Sequence, residues 1–156
     1  MTCYISTSQG EFLAHFTPHG LALLQFPGAK SAPQIGVKPP PKSWFCHTDA
    51  AIKSILAGKK PLKLPPLDLS LGTRFQQQLW HAILRISIGA TLTYGELART
   101  LCHPKAARAI GQACGANAIP LIIPCHRVLA SGNKLGGFSA GLNWKRKLLK
   151  AEGHSF

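Results

Sequence analysis

Prolines limit where regular structure can form in this chain, and they are unevenly distributed. Nine of the twelve prolines lie in residues 1–68. The run Lys38-Pro-Pro-Pro-Lys42, followed by three more prolines before residue 67, cannot lie inside a helix or a central strand, because proline lacks an amide hydrogen and fixes φ. The sequence therefore predicts two parts: a front part with short elements, residues 1–68, and a mostly helical back part, residues 69–156.

Apolar segments separated by glycines indicate strands in the front part. They cover residues 2–7, 11–16 and 21–26, with Gly10 and Gly20 at the turns. A helix is predicted over Asp49–Ala57, ended by Gly58. We therefore expect a small, strand-rich α/β unit whose proline-rich connection ends near Asp68.

Two capping boxes predict helix starts in the back part, Thr73 with Gln76 and Thr93 with Glu96. The second of these helices would end near Leu101. The apolar face of the first helix would carry Phe75, Leu79, Ile83 and Ile86.

A third helix is predicted over Lys105–Cys114, because Pro104 suits the first helical position. Two short helices joined by a tight turn fit a helix-turn-helix, and a plain helical hairpin fits equally well. Small side chains on the third helix allow close approach, either to a narrow groove or to another helix. These residues are Ala106, Ala107, Ala109 and Ala113.

Positive charge is concentrated in the back part. The chain has 18 Lys and Arg against 5 Asp and Glu, a net charge of +13, and the back part has only two acids, Glu96 and Glu152. Surfaces that serve only solubility normally mix both signs, so this bias predicts a polyanionic partner. Nucleic acid is favoured over a membrane, because no window has the apolar length of a membrane span and the basic helices lack a wide apolar face.

The cysteines favour a reducing compartment. There are five, an odd number, without a C-x-x-C pair, so no disulfide framework is expected. The start of the chain lacks the pattern of an export signal, which favours a cytoplasmic protein. The spacings typical of zinc ligands are also missing, so no metal is expected.

The segment Pro124-Cys125-His126-Arg127 is the predicted chemical centre. A thiol beside an imidazole and a guanidinium is expected to have a lowered pKa, although a buried structural cysteine fits the same residues. Neighbouring side chains on a strand point apart, so His126 can act as a base for Cys125 only through a water or a bent backbone. An orienting carboxylate would then be Glu152, since Glu96 is used by its capping box.

Residues 70–153 resemble the O6-alkylguanine-DNA alkyltransferase family. The resemblance is carried by Ile-Pro-Cys125-His126-Arg127-Val128, Tyr94, the segment 105–111, Asn117, Gly136-Gly-Phe-Ser139 and the segment 147–153. It implies an α+β fold, with a small N-terminal α/β domain of the RNase H-like type over residues 1–68. A mostly helical DNA-binding and alkyl-acceptor domain with a helix-turn-helix would follow over residues 69–156.

The family resemblance implies the reaction as well. Members remove the alkyl group from O6-alkylguanine, and by implication from O4-alkylthymine, in duplex DNA by a single irreversible transfer to one cysteine. Carried over, Cys125 is the acceptor, His126 takes its proton through a water, Glu152 holds the imidazole and Asn117 is a hinge. The resemblance implies no cofactor, no metal and no obligate protein partner, a monomer, and a cytoplasmic location, nuclear in a eukaryote.

The resemblance also implies how DNA is held. The third predicted helix would enter the minor groove, and Arg108 would fill the stack after the target base flips out. Taken alone, Arg108 fits a solvated surface. The residues that would lie at the groove beside it are Lys105, Ala106, Ala107 and Ala109.

The pocket residues carried over from the family surround the flipped base. Tyr94 would contact the base and crowd the adjacent phosphate, and the loop with Phe138 and Ser139 would close the pocket. Phe138 replaces the tyrosine of some members. The backbone carbonyls of Cys125 and Val128 would accept the exocyclic amine.

Simpler roles remain open for these and neighbouring residues. Tyr94 also fits a core edge, and Ser139 fits the N-cap of a last helix over Leu142–Ala151. A solvated face is predicted for Lys145, Arg146, Lys147 and Lys150, and packing roles for Cys102 and Cys114.

Two other functions fit parts of the sequence. One is a non-catalytic DNA-binding protein that senses alkylguanine, and the other is a cysteine hydrolase acting on a carbonyl through Cys125, His126 and Glu152. The presence of Cys125 favours repair over sensing.

Overall fold

The front part forms an antiparallel sheet. A computed structural model of the chain describes residues 1–29 and 39–156, so Lys38 of the proline run lies outside the described residues. The strands are β1 (Thr2–Thr7), β2 (Gly10–Thr17) and β3 (Gly20–Gln25), in the order β1-β2-β3. The three predicted strands are therefore confirmed.

One face of this sheet packs on the core, as the alternation of a strand requires. Phe12, Ala14 and Phe16 of β2 are buried. The start of β3 is tied to the end of the proline-rich connection, because Leu21 N–H donates to the Pro66 carbonyl at 2.8 Å. A side chain at Gly20 would overlap the Pro66 carbonyl, so glycine is required where the two segments meet.

Helix α1 spans Lys42–Leu56, and the predicted start at Asp49 is wrong. The helix begins directly after Pro41, which is the N-cap residue and provides no side-chain cap. Thr48 lies inside the helix, where its hydroxyl donates to the Trp44 carbonyl at 2.8 Å. Gly58 follows the helix with a positive φ, in agreement with the predicted end.

The back part contains four further helices. They are α2 (Arg74–Leu84), α3 (Tyr94–Thr100), α4 (Ala107–Gly115) and α5 (Leu142–Ala151), with a two-strand parallel pair of β4 (Leu92–Thr93) and β5 (Val128–Leu129). Both capping boxes are present, at Thr73 and Thr93. Ile86 lies beyond the end of α2, although it is buried as predicted.

Helix α4 starts later than the predicted Lys105. The chain passes from α3 through Cys102, which has a φ of 60°, and a separate turn in which Ala106 N–H donates to the His103 carbonyl at 2.9 Å. Pro104 belongs to this turn and not to the helix. Helices α3 and α4 pack against each other across it.

The core is continuous between the two parts. Buried side chains from the sheet, such as Phe12 and Phe16, belong to the same cluster as Leu79, Ile110 and Leu148 of the helices. Residues 1–29 and 39–156 thus have a mixed α and β architecture with a small antiparallel sheet and five α-helices, and the division at residue 68 stays a prediction. Among the described residues, no helix has both the length and the apolar character for a membrane span.

Candidate active site

Asn117 organises the loop that leads to Cys125. Its Nδ2 donates to the Ile123 carbonyl at 3.1 Å and to Cys125 Sγ at 3.2 Å, and its Oδ1 accepts from Ile119 N–H at 2.9 Å. Leu121, within this loop, has a φ of 79°, so the backbone is held in a sharply bent path. Asn117 therefore fixes both the loop and the sulfur at its end.

Cys125 and His126 lie on a single 3₁₀ turn, Cys125–Arg127, and not on a strand. The 3₁₀ turn is a bent backbone, one of the two conditions under which His126 was expected to act as a base for Cys125. His126 Nε2 lies 2.9 Å from Glu152 Oε1, and both side chains are fully buried. Glu152 is therefore the carboxylate that holds His126, as predicted, while Glu96 is used by its capping box.

Arg127 does not face the thiol. Its Nε and Nη2 donate to the Glu152 carboxylate at 2.9 to 3.1 Å, and its Nη1 donates to the Ile86 carbonyl at 2.7 Å. Gly89 N–H also donates to Glu152 Oε2 at 3.2 Å. Arg127 therefore fixes the carboxylate that fixes His126, a role that sequence reasoning missed because its partner is distant along the chain.

Burial and hydrogen bonds together leave Glu152 ionised and His126 neutral. Burial opposes ionisation of Glu152, but hydrogen bonds from His126 and Arg127 outweigh it and lower the carboxyl pKa to about 2. Burial lowers the pKa of His126, more than Glu152 raises it. The imidazole is therefore neutral, with the proton on Nε2 facing the carboxylate and a bare Nδ1. Nδ1 is buried and has no hydrogen-bond partner in the described part of the chain.

The predicted low pKa of Cys125 is wrong. Burial raises the pKa of the thiol to about 11, and the Asn117 hydrogen bond and the Lys145 charge only partly offset it. The neighbouring imidazole is neutral and the neighbouring guanidinium points to Glu152, so neither supplies the expected positive charge. Cys125 is therefore a protonated thiol at neutral pH and requires a base to react.

Lys145 is fully buried, so its predicted place on a solvated face is wrong. Its Nζ donates to the Val128 carbonyl at 2.6 Å and to the Gly137 carbonyl at 3.0 Å, which ties the acceptor segment to the loop before α5. Burial lowers its pKa to about 8, against the opposing effect of the two nearby thiols. The signal was present in the sequence: Lys145 shares a helical face with Leu148 and Leu149, both buried.

A cavity of about 240 Å³ opens in front of the thiol. Five of its lining residues are Tyr94, Cys125, Phe138, Ser139 and Cys114, and three glycines complete the wall. Burial raises the pKa of the Tyr94 hydroxyl. The cavity thus brings together residues from α3, α4, the acceptor turn and the loop before α5.

The remaining residues expected at the pocket differ in their burial and contacts. Phe138 lies edge-on to His126, with ring centroids 6.3 Å apart. Ser139 is exposed at the cavity, and its predicted N-cap role is wrong because Gly141 is the N-cap residue of α5, without a side-chain cap. Val128 is buried in β5 and is not among the residues that line the cavity, and its carbonyl accepts from Lys145 Nζ.

The start of α4 is a surface of small and basic residues. Lys105, Arg108 and Ala109 are exposed, and Ala106 and Ala107 are half-buried. Ala113 is different: it is buried, and its carbonyl accepts from Trp80 Nε1 at 3.0 Å, so it faces the core and not the groove-like surface. The opposite end of α4 lines the cavity through Gly111, Cys114 and Gly115.

A buried thiol that opens on a cavity, one residue before a neutral histidine held by an ionised carboxylate, is typical of proteins that react through a cysteine nucleophile. Comparison with known proteins identifies which kind. Residues 74–154 match the family model described as 6-O-methylguanine DNA methyltransferase, DNA binding domain.

Two relatives of the chain share the name methylated-DNA–protein-cysteine methyltransferase. The chain is 36% identical over 153 residues to the methylated-DNA–protein-cysteine methyltransferase of Methanosarcina acetivorans, covering 92% of each protein. It is 51% identical over 86 residues to the protein of that name from Mycobacterium tuberculosis, covering 55% of this chain and 52% of the relative. The crystal structure of Mycobacterium tuberculosis OGT in complex with DNA superposes with a TM-score of 0.81 at 36% identity, covering 96% of this chain and 90% of that chain.

This chain belongs to the methylated-DNA–protein-cysteine methyltransferase family. The predicted family, the transferase class and the general function, DNA repair by alkyl transfer to a protein cysteine, are thereby confirmed.

Proposed function

We propose that Cys125 is the alkyl acceptor and that the protein removes the alkyl group from O6-alkylguanine, and from O4-alkylthymine, in duplex DNA. The observation that carries this proposal is the position of Cys125: its Sγ lies at a cavity and accepts a hydrogen bond from Asn117, and the residue shares a 3₁₀ turn with His126, which is held by Glu152. The reaction forms a bond from sulfur to the alkyl carbon and breaks the bond from that carbon to guanine O6. The product is a thioether, so each molecule reacts once.

The proton of the thiol has a defined destination. A thiol with a pKa of about 11 is a weak nucleophile, and the neutral His126 has a bare Nδ1 that accepts the proton through a bridging water. The Glu152 carboxylate stabilises the imidazolium that forms, and Arg127 keeps the carboxylate ionised and oriented. Asn117 and Lys145 stabilise the negative charge on sulfur as it develops.

The flipped base would occupy the cavity in front of the thiol. Tyr94 and Phe138 supply the aromatic walls, and Ser139 donates to guanine O6 as that oxygen gains charge. The Cys125 and Val128 carbonyls recognise the exocyclic amine. Val128 N–H already donates to the first and Lys145 Nζ to the second, and each oxygen retains a second lone pair for the base.

Duplex DNA is the proposed partner, bound by α3 and α4 acting as a helix-turn-helix. Exposed Arg108 would fill the stack, and Lys105 would contact a phosphate. Extrusion of a base costs a few kcal/mol, which an inserted side chain and phosphate contacts offset. The small side chains that allow close approach to the minor groove are those of Ala106, Ala107 and Ala109.

The proposed organisation of the protein is a monomer with two domains. Residues 1–68 form an RNase H-like N-terminal domain, and residues 69–156 form the DNA-binding and alkyl-acceptor domain. The protein acts as a monomer without a cofactor or an obligate protein partner, in the cytoplasm, or in the nucleus of a eukaryote.

The test is a titration of duplex DNA that contains O6-methylguanine with increasing protein. We expect the number of guanines restored to equal the number of protein molecules added, with no restoration by Cys125→Ser. Cys114→Ser, which changes the other thiol at the cavity, is the matched control and should repair normally. Specific binding without restoration would instead support the sensor, and multiple turnovers on an ester would support the hydrolase.

The role of Arg108 needs a separate comparison. Arg108→Ala should slow transfer from duplex DNA far more than transfer from free O6-benzylguanine, because only the duplex requires a base to be flipped. Arg74→Ala, at another exposed arginine, is the control for loss of one positive charge. Equal slowing with both substrates would contradict the assignment.

A further inference from the structure

A second thiol lies in the same cavity as the proposed alkyl acceptor. Cys114 of α4 is 8% exposed and lines the cavity together with Cys125. The other two α4 residues at the cavity, Gly111 and Gly115, have no side chains, so the Cys114 thiol is what α4 presents to the cavity. Cys114 and Cys125 are both free thiols.

Cys114 packs in the buried core as predicted, but the proposed transfer does not use its thiol. Transfer of a simple alkyl group uses one sulfur and ends in an unreactive thioether. Cys114 lies close enough to Cys125 to be affected by its charge: burial, and to a smaller extent the nearby Cys125 thiol, raise the pKa of Cys114 to about 12. Lys145 opposes the rise, so its charge acts on both sulfurs.

We propose that Cys114 is a second nucleophile that captures bifunctional adducts, with 2-haloethyl groups on guanine O6 as the substrate class. This inference rests on the proposed alkyl transfer to Cys125 and extends it to adducts that carry a second leaving group. The product is an ethylene bridge between the two cysteine sulfurs. Both carbons of the haloethyl group therefore remain bound to the protein.

The chemistry proceeds in three balanced steps. Cys125 sulfur bonds to the first carbon, the bond from that carbon to guanine O6 breaks, and the thiol proton passes through the base system of the site to the released guanine. The Cys125 thioether then displaces the halide from the second carbon and forms a three-membered sulfonium ring. Cys114 sulfur attacks a ring carbon, the ring opens to the bridged dithioether, and the Cys114 proton leaves, so that the hydrogen halide is released overall.

Position favours Cys114 over competing nucleophiles. A group held in the same cavity as the sulfonium acts at a high effective concentration, whereas bulk water and the bases that remain stacked in the duplex must first reach a buried site. Cys3, Cys46 and Cys102 do not line this cavity. The bridge therefore forms between one defined pair of the five cysteines.

The test uses duplex DNA that contains O6-(2-fluoroethyl)guanine, with O6-methylguanine duplex as the monofunctional control. After reaction and denaturation, free thiols are counted and the tryptic peptide of residues 109–127 is weighed; it contains both cysteines, because no Lys or Arg lies between Arg108 and Arg127. The unreacted protein has five free thiols. We expect methyl transfer to remove one thiol and fluoroethyl transfer to remove two, with the peptide gaining an ethylene bridge and no fluorine.

Variants separate the outcomes. Cys114→Ala should lose only one thiol with either DNA and should carry a fluoroethyl or hydroxyethyl group on Cys125, while Cys102→Ala, at an exposed cysteine, should still lose two. Loss of a single thiol from the wild-type protein with fluoroethyl DNA, alongside normal methyl uptake, would overturn the inference and leave the proposed transfer intact. Loss of no thiol with the methyl DNA would instead refute the proposed transfer.

Discussion

Glu152 offers the sharpest test of how the site works, through the isosteric change Glu152→Gln. Its Oε1 accepts from His126 Nε2 and from two nitrogens of Arg127, and its Oε2 accepts from Arg127 Nε and Gly89 N–H. A glutamine places an NH₂ group at one of these positions, where it meets donors. If the NH₂ faces His126, the imidazole must carry its proton on Nδ1 and cannot accept one there. If it faces Arg127, the imidazolium that forms during transfer loses its charged partner.

Both orientations of the glutamine weaken the transfer of the thiol proton to His126. The expected loss of rate therefore follows from what general-base catalysis contributes. Positioned general-base catalysis contributes about 100- to 10,000-fold to a rate. We expect Glu152→Gln to slow methyl transfer by about 100-fold or more. Breaking a buried ion pair also leaves the Arg127 guanidinium without its counter-charge, and we expect the free energy of unfolding to fall by about 3 kcal/mol.

The assay is single-turnover transfer of a labelled methyl group from duplex DNA to the protein, quenched over time under conditions where both variants are folded. Glu96→Gln is the matched control: it makes the same charge change in the basic part, and glutamine retains the capping box with Thr93. Its transfer rate should equal that of the wild-type protein. A Glu152→Gln rate indistinguishable from wild type would refute the role of the His126–Glu152 pair in accepting the thiol proton.

Three further outcomes follow from the same contacts. Iodoacetamide labelling of Cys125 should rise about tenfold per pH unit until the pH reaches about 11, where the thiol is half ionised; labelling that levels off near neutral pH would contradict a raised pKa. Lys145→Met should slow methyl transfer by about tenfold or more below about pH 8, where the lysine carries its charge, measured by single-turnover transfer, and an unchanged rate in that pH range would exclude the charge effect. Gly136→Ala would put its Cβ 2.9 Å from Tyr94 Oη at a φ of 66° and should slow transfer, whereas Gly132→Ala, at a similar φ of 70° with open space at its Cβ, should not; equal rates in the two variants would contradict the tight contact.

Local sequence signals predicted most elements well, since they act over a few residues. The glycines between apolar segments predicted three strands, and the Thr73 and Thr93 capping boxes predicted two helix starts that the structure contains. The start of α1 was missed because Pro41 begins the helix without a side-chain cap. The start of α4 was missed because Cys102 adopts a left-handed φ and adds a separate turn.

The charge states of the site were harder to predict because they depend on distant partners. The sequence places Arg127 beside Cys125, but its guanidinium bonds to Glu152, 25 residues along the chain, and to the Ile86 carbonyl. Burial of the sulfur then outweighs the Asn117 hydrogen bond and the Lys145 charge. The glutamate itself was predictable by elimination, since the basic part has only two acids and one of them caps a helix.

The most direct test of the central claim is to find where the methyl group goes. The protein is incubated with excess duplex DNA containing O6-methylguanine, and the intact protein and its tryptic peptides are weighed. We predict a gain of one methyl group per molecule, carried by Cys125, and none in Cys125→Ser. An unmodified protein after the guanine has been restored, or a methyl group on another residue, would contradict the account.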